Sequence, residues 1–305
     1  MSTAPQRNGF KAPDWLQQPW VKTGVKVLGT LLTLYVVWKH IDLEQVGRLW
    51  SQAWGSALVG AVLLFAASKV ISALRLQLFF KAERFFLPLI HQLGWYWVGM
   101  FYNQLLPGGI GGDGYKVIAL HRWTGHPAAS LARAVVTDRV NGVVPVLGLM
   151  GLSIAFLWPY ALPGWSLAVV TLGGVAATRW LADRLMPQYG PVWFRTLGLS
   201  VVVQLLQCLG LWLIVEALGI PNFSVAYLVV FLLSSMVAIL PLTLGGIGAR
   251  ELVFLLGANL AKLPQDQAVA ISLLVYTIQV VISLPGLFFV WRSPGLSPGF
   301  KRSPA

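Results

Sequence analysis

The chain has 305 residues, 57% of them hydrophobic and only 10% charged. That composition, with a mean hydropathy of +0.72, excludes a soluble globular protein and indicates an all-α polytopic membrane protein. The net charge of +12 reads as positive-inside bias and contact with anionic lipid, so no nucleic-acid partner is expected.

Residues 1–21 are polar and carry Pro5, Pro13 and Pro19 without the basic start, apolar core and cleavage site of a signal peptide. They read as a cytoplasmic N-terminal tail. One transmembrane domain is expected over 22–291 and a cytoplasmic C-terminal tail over 292–305. Crossing about 30 Å of hydrocarbon takes about 20 apolar residues. Full spans are therefore expected near 22–38, 55–78, 134–158, 165–181, 196–218 and 267–291.

Between these spans one pattern occurs twice. Leu106-Pro107 is followed by Gly111-Gly112, Gly114 and Lys116, and Leu240-Pro241 by Gly245-Gly246, Gly248 and Arg250. The offset is 134 at every matched position (240 − 106, 250 − 116). Pro cannot continue a helical ladder and paired glycines permit turns, so the chain is expected to break at 106–114 and 240–248. In hydrocarbon such a break is tolerated only where protein buries it or where it lines a cavity. The arms on either side are too short to span, so each pair is expected to form a re-entrant hairpin. Tight turns between packed helices are the plainer alternative.

Six full transmembrane helices plus two re-entrant broken-helix hairpins place Lys81, Arg84, Arg122, Arg133, Arg179, Arg184 and Arg195 on one face with both termini. Lys39, Arg48 and Lys262 fall opposite. The asymmetry puts both termini in the cytoplasm. Three full spans separate the hairpins, so the duplication is expected to be an inverted repeat; drawing each broken pair as two spans gives eight and keeps the orientation. Paired interrupted helices in two halves of a chain point to a transporter's binding site.

Lys116 and Arg250 are expected in the first turn after each break, where a helix N-terminus favours an anion. With Gly111, Gly112, Gly245 and Gly246 they are candidates to hold a headgroup phosphate. For Lys116, snorkelling to the interface or pairing with a nearby acid is an equal alternative. Asp113 is read first as an N-cap and second as a ligand for a headgroup amine or a coupling proton. Glu251 is read as a structural ion pair with another segment or as a substrate contact. Asp138 and Arg139 lie either in a functional intramembrane site or in a salt bridge at the membrane edge. Lys69 is expected to meet an acid or a lipid phosphate, Arg75 to reach the cytoplasmic interface, and Asn103 to bond unwound backbone or substrate. Asn141 and Gln204 are read as links between helices. No histidine has a Cys or carboxylate at metal-ligand spacing, and no nucleophile elbow or phosphate-binding loop occurs. No catalytic residue, metal or cofactor is expected.

The run Leu106–Asp113, the pair Asp138-Arg139 and the run Leu240–Glu251 resemble the lysylphosphatidylglycerol synthase transmembrane-region family, which includes the membrane half of bacterial multiple-peptide-resistance proteins. The resemblance covers nearly the whole chain. It implies a flippase-like module in the bacterial inner membrane, moving an anionic or aminoacylated phospholipid, or another lipid-linked headgroup, between leaflets. It places the family's polar positions on Asp113, Asp138, Arg139, Arg250 and Glu251, without the aminoacyl-transferase domain of the full-length proteins. The expected partners are a membrane lipid and a lipid biosynthetic enzyme. The alternative is a membrane enzyme or a noncatalytic accessory subunit in lipid or lipid-linked glycan biosynthesis.

Overall fold

The computed structural model describes residues 43–53, 55–105, 111–157, 164–221, 223–238 and 247–292, with isolated positions between 28 and 39. The expected span 22–38, and the break segments 106–110 and 239–246, lie outside this set or nearly so. Among the described residues every regular element is helical, which satisfies each segment's backbone groups internally.

The short α1 (Leu43–Gln52) precedes α2 (Ser56–Ala82), and α3 (Leu89–Leu105) and α4 (Gly111–Thr124) flank the first break. Next come α5 (Ala128–Leu157) and α6 (Gly164–Leu185), then a 3-10 turn (Pro187–Val192) leading into α7 (Trp193–Ala217). The second break separates α8 (Val225–Val237) from α9 (Ala249–Leu260), and α10 (Gln265–Ser283) and α11 (Pro285–Arg292) follow. Ser224 caps α8 by accepting the Ala226 N–H at 3.3 Å. Pro285 has no N–H to continue α10 and opens α11 instead. The stretches Ser56–Ala82, Ala128–Leu157, Pro187–Ala217 and Gln265–Trp291 are long and apolar enough to cross a membrane, and Val225–Val237 is apolar but short. The chain is a multi-pass membrane protein.

The offset of 134 extends beyond the glycine motif. It carries 56–82 onto 190–216, close to α7, and brings α3, α4 and α5 onto α8, α9 and the α10–α11 pair. Packing recurs in the same way: α3 lies on α4 as α8 on α9, α4 on α5 as α9 on α10, and α2 on α5 as α7 on α10. The most extensive helix contact joins α2 to its own counterpart, α7.

Along that contact Gly60 lies against Leu213 and Phe65 against Gly210. Further on, Gln207 Nε2 donates to Ser68 Oγ at 3.3 Å and Arg75 Nη1 to Ser200 Oγ at 2.8 Å. Numbers rise along α2 as they fall along α7, so the two helices are antiparallel and the repeat is inverted. Facing pairs total about 275, and this relation meets the 134 offset where Val70 and Ile71 face Leu205 and Gln204. A pseudo-twofold axis therefore crosses the middle of α2 and α7.

Two apolar clusters lie on either side of this level. One joins Leu76, Phe79 and Phe80 of α2, Trp95 and Val98 of α3, Leu120 of α4 and Leu131, Ala134 and Val135 of α5 with Tyr189. The other joins Ala61 and Phe65 of α2, Val146 of α5 and Leu211, Ile214 and Val215 of α7 with buried residues of α8, α9 and α10. On α2, α5 and α7 the polar residues between these clusters face inward, and they make the site. At the α2 terminus Glu83 gathers three segments: it accepts from Arg133 Nη2 at 2.9 Å, Gln188 Nε2 at 3.1 Å and the Tyr189 hydroxyl at 2.5 Å.

Candidate functional site

A cavity of about 250 Å³ occupies the level between the two clusters. Its lining includes Lys69, Ser72 and Arg75 of α2, Tyr96 and Asn103 of α3, Asp113 and Lys116 of α4, Asp138 and Arg139 of α5, Gln204 and Gln207 of α7, Arg250 of α9 and Gln279 of α10. Residues far apart in sequence converge because α2, α5 and α7 each turn polar at the same height.

Lys69 stands midway along α2, 13 residues from Ser56 and 13 from Ala82. At 1.5 Å per residue that is about 20 Å from either end, beyond the reach of snorkelling. Among the described residues it forms no hydrogen bond or ion pair, and the cavity that it lines also holds the guanidinium groups of Arg75, Arg139 and Arg250.

Arg75 is 6% exposed. Its Nε donates to Asp138 Oδ1 at 2.7 Å and its Nη2 to Asp138 Oδ2 at 3.1 Å, a two-point grip on the carboxylate. Ser200 Oγ accepts its third donor and itself donates to Asn141 Oδ1 at 2.6 Å. This corrects the expectation that Arg75 reaches the cytoplasmic interface: a buried acid on α5 holds it inside. The signal was present in the sequence, since Ser68, Ser72 and Arg75 follow a helical i, i+4, i+7 spacing on an apolar helix. Asn141 does link helices, through Ser200 of α7, whereas Gln204 faces the cavity and its buried Oε1 meets no donor among the described residues.

Asp113 is engaged on both oxygens. Arg139 Nε donates to Oδ2 at 2.7 Å and Lys116 Nζ to Oδ1 at 3.1 Å. Lys116 also lies 5.6 Å from the centre of the Tyr96 ring. Asp113 is therefore inside the helix as an ion-pair hub rather than serving as its N-cap. The cap comes from Asn103, whose Oδ1 accepts the Gly112 N–H at 2.8 Å. Gly111 begins α4 and Gly112 is buried at the crossing with α3. A Cβ on Gly112 would stand 2.0 Å from the Gly99 carbonyl oxygen, so α3 and α4 approach this closely only with glycine there. Starting at Gly111, α4 puts Lys116 in its second turn rather than the first.

The second half is built differently. Gly248 adopts φ 82°, a conformation suited to glycine, and α9 starts only at Ala249. Arg250 thus falls in the first turn, as expected, and is 6% exposed. Its neighbour Glu251 is spent on structure: Oε2 accepts the Gly248 N–H at 2.7 Å, and Ser272 Oγ donates to Oε1 at 3.2 Å. That matches the structural reading of Glu251 in kind, with a helix cap and a serine in place of an ion pair. Arg250 Nε and Nη1 are buried and meet no acceptor among the described residues. Gly245 and Gly246 lie outside those residues.

Of the sequence candidates, Lys69, Asn103, Asp113, Lys116, Asp138, Arg139 and Arg250 share one cavity, whereas Glu251 turns away to cap α9. Among the described residues five cations and two acids line it, a net +3.

Fold and site together define a multi-pass membrane protein whose inverted halves enclose a buried, cation-rich cavity. The chain belongs to the family described as the lysylphosphatidylglycerol synthase TM region, whose model matches residues 24–286. It is also similar to the UPF0104 membrane protein PH1989 of Pyrococcus horikoshii, with 29% identity over 153 residues. That match covers 50% of this chain and spans 44% of the archaeal protein's length.

Proposed function

We propose that this protein is a lipid flippase that passes a phosphate-bearing lipid headgroup between leaflets through the central cavity. The observation that carries the reading is Arg250, a buried guanidinium with two donors unmet among the described residues, in the same cavity as Lys69, which pairs with none of those residues. Burying an uncompensated charge costs several kcal/mol, and charge at mid-membrane depth by default marks a functional site. An anionic headgroup removes that cost by accepting from both side chains.

The architecture supports movement as well as binding. An inverted repeat has two near-equivalent arrangements, each opening the central site to a different leaflet. Lys116 and Arg250 occupy matching places in the two halves, and the Asp113 and Asp138 ion pairs hold their helices around the path. The family match favours a lipid-related role, and the basic face of the sequence favours a bacterial inner membrane with both termini in the cytoplasm. A lipid biosynthetic enzyme that supplies the headgroup is the matching partner.

The test is translocation of headgroup-labelled lipid in proteoliposomes, wild type beside Arg250→Ala. The expected outcome is leaflet exchange that the variant lowers about tenfold or more, the consequence of losing at least 1.4 kcal/mol of charged hydrogen bonding. Exchange unchanged by the variant would remove Arg250 from the path. Absence of exchange for every lipid tried, with the wild type folded, would sink the flippase reading.

A further inference from the structure

The carboxylates of the cavity bear on which headgroup it takes. Asp138 spends both oxygens on Arg75, and Asp113 spends both on Arg139 and Lys116. Glu251, beside Arg250, is likewise filled on both oxygens by the Gly248 N–H and Ser272. The remaining acids of the transmembrane core are at its ends, as with Glu83 and Asp266. A headgroup amine entering the cavity thus meets no open carboxylate among the described residues and faces a net charge of +3.

Resting on the lipid-site reading above, we infer that the cavity selects a headgroup ending in a phosphomonoester or diphosphate and rejects an aminoacylated one. Arg250 and Lys69 come from different helices in different halves of the repeat, and each brings hydrogen-bond donors that meet no acid among the described residues. A terminal phosphate carries about −1.5 to −2 charge at pH 7 and three acceptor oxygens, enough to engage both cations at once. A phosphodiester has a single negative charge and fewer free oxygens. An aminoacyl headgroup adds an ammonium to a site already rich in cations, and repulsion opposes its entry.

The experiment is calorimetric binding to the full chain in detergent, with five probes: farnesyl diphosphate, short-chain phosphatidic acid, phosphatidylglycerol, lysylphosphatidylglycerol and inorganic pyrophosphate. The expected order follows negative charge, with farnesyl diphosphate at least about tenfold tighter than phosphatidylglycerol and no measurable binding of the lysyl form. Arg250→Gln and Lys69→Gln should each weaken farnesyl diphosphate by about tenfold. Should either glutamine variant fail to elute as a single folded species, Arg250→Lys, which keeps the charge but loses the fork of donors, is expected to bind farnesyl diphosphate more weakly than wild type and still more tightly than phosphatidylglycerol, and the reverse order would overturn the proposal. Lysylphosphatidylglycerol binding as tightly as the diphosphate would overturn the selectivity and leave the lipid site standing. Pyrophosphate matching farnesyl diphosphate would overturn the lipid source in favour of a soluble anion. If no lipid binds, both the selectivity and the underlying reading fall.

Discussion

Arg75 fills both oxygens of Asp138, and among the described residues Arg75 forms an ion pair with no other acid, which makes the pair a sensitive point. Asp138→Asn leaves the guanidinium buried without a counter-charge, and removing one member of a buried pair typically costs about 3–5 kcal/mol. We expect the variant to unfold at a clearly lower temperature in detergent, and the charge-neutral double variant Arg75→Gln with Asp138→Asn to recover most of the loss. A double variant no better than the single would mean that the pair acts through shape rather than charge. Lys116 differs, because Asp113 is shared between it and Arg139. Removing Lys116 leaves Asp113 satisfied, so Lys116→Met should cost less than Asp138→Asn in the same unfolding assay.

Two neighbouring glycines of the first break make opposite demands on α4. At Gly112 a Cβ would run into backbone, 2.0 Å from the Gly99 oxygen and 2.6 Å from the Asn103 nitrogen, and backbone cannot rotate away. Gly112→Ala is expected to pry α3 from α4 at a cost of about 3 kcal/mol. At Gly114 nothing lies within 4 Å, so Gly114→Ala is expected to be neutral or to stabilise by up to about 1 kcal/mol through helix propensity. Thermal unfolding of the two variants side by side separates them, and equal losses would contradict the close approach of α3 and α4.

The Glu83 junction belongs to the same scale, since it binds α2, α5 and the 3-10 turn. Burial opposes the carboxylate's charge, yet hydrogen bonds from Arg133, Tyr189 and Gln188 outweigh it and hold its pKa down at about 2. Its folded value therefore lies below the unfolded value of about 4.3. The stabilisation is complete above that unfolded value and is lost as pH falls toward 2. Glu83→Gln should flatten the pH dependence of unfolding in that window while leaving the slope near neutrality unchanged.

At the scale of the whole molecule, the inverted architecture makes a directional prediction about the α2–α7 contact. With Cys208 replaced by serine, cysteines at 60 and 213 and at 68 and 207 should each join through a short thiol cross-linker, whereas the exchanged pairs, 60 with 207 and 68 with 213, should not. Cross-linking of the exchanged pairs alone would require the helices to run parallel and would end the inverted description. Much of this organisation was legible beforehand. The apolar runs located α2, α5, α6 and α7 to within several residues. Lys116 and Arg250 were found because the repeat pairs them. Which cation meets which acid was not legible: Arg75 with Asp138, and Arg139 with Asp113, depend on the rotation of α2, α4 and α5 about their own axes. Apolar sequences with lipid on one side and protein on the other report that rotation weakly. The different starts of α4 and α9 were hidden for a related reason, because the same glycines support a helical turn where Asn103 caps it and a turn at positive φ where Glu251 does.

The crossing of the axis through α2 and α7 has a consequence for how such a cavity could arise. An antiparallel pair of identical chains must repeat every feature across its axis, so a lysine at the equivalent of 69 would confront a second copy of itself close by. In the present chain the counterpart of Lys69 is Val203, that of Arg75 is Leu209, and that of Asp138 is Ser272. Only Lys116 and Arg250 keep like charge in both copies. Joining the halves in one polypeptide freed each side to change alone, and a lone cation on the symmetry axis, out of reach for a homodimer, became available to hold a single guest.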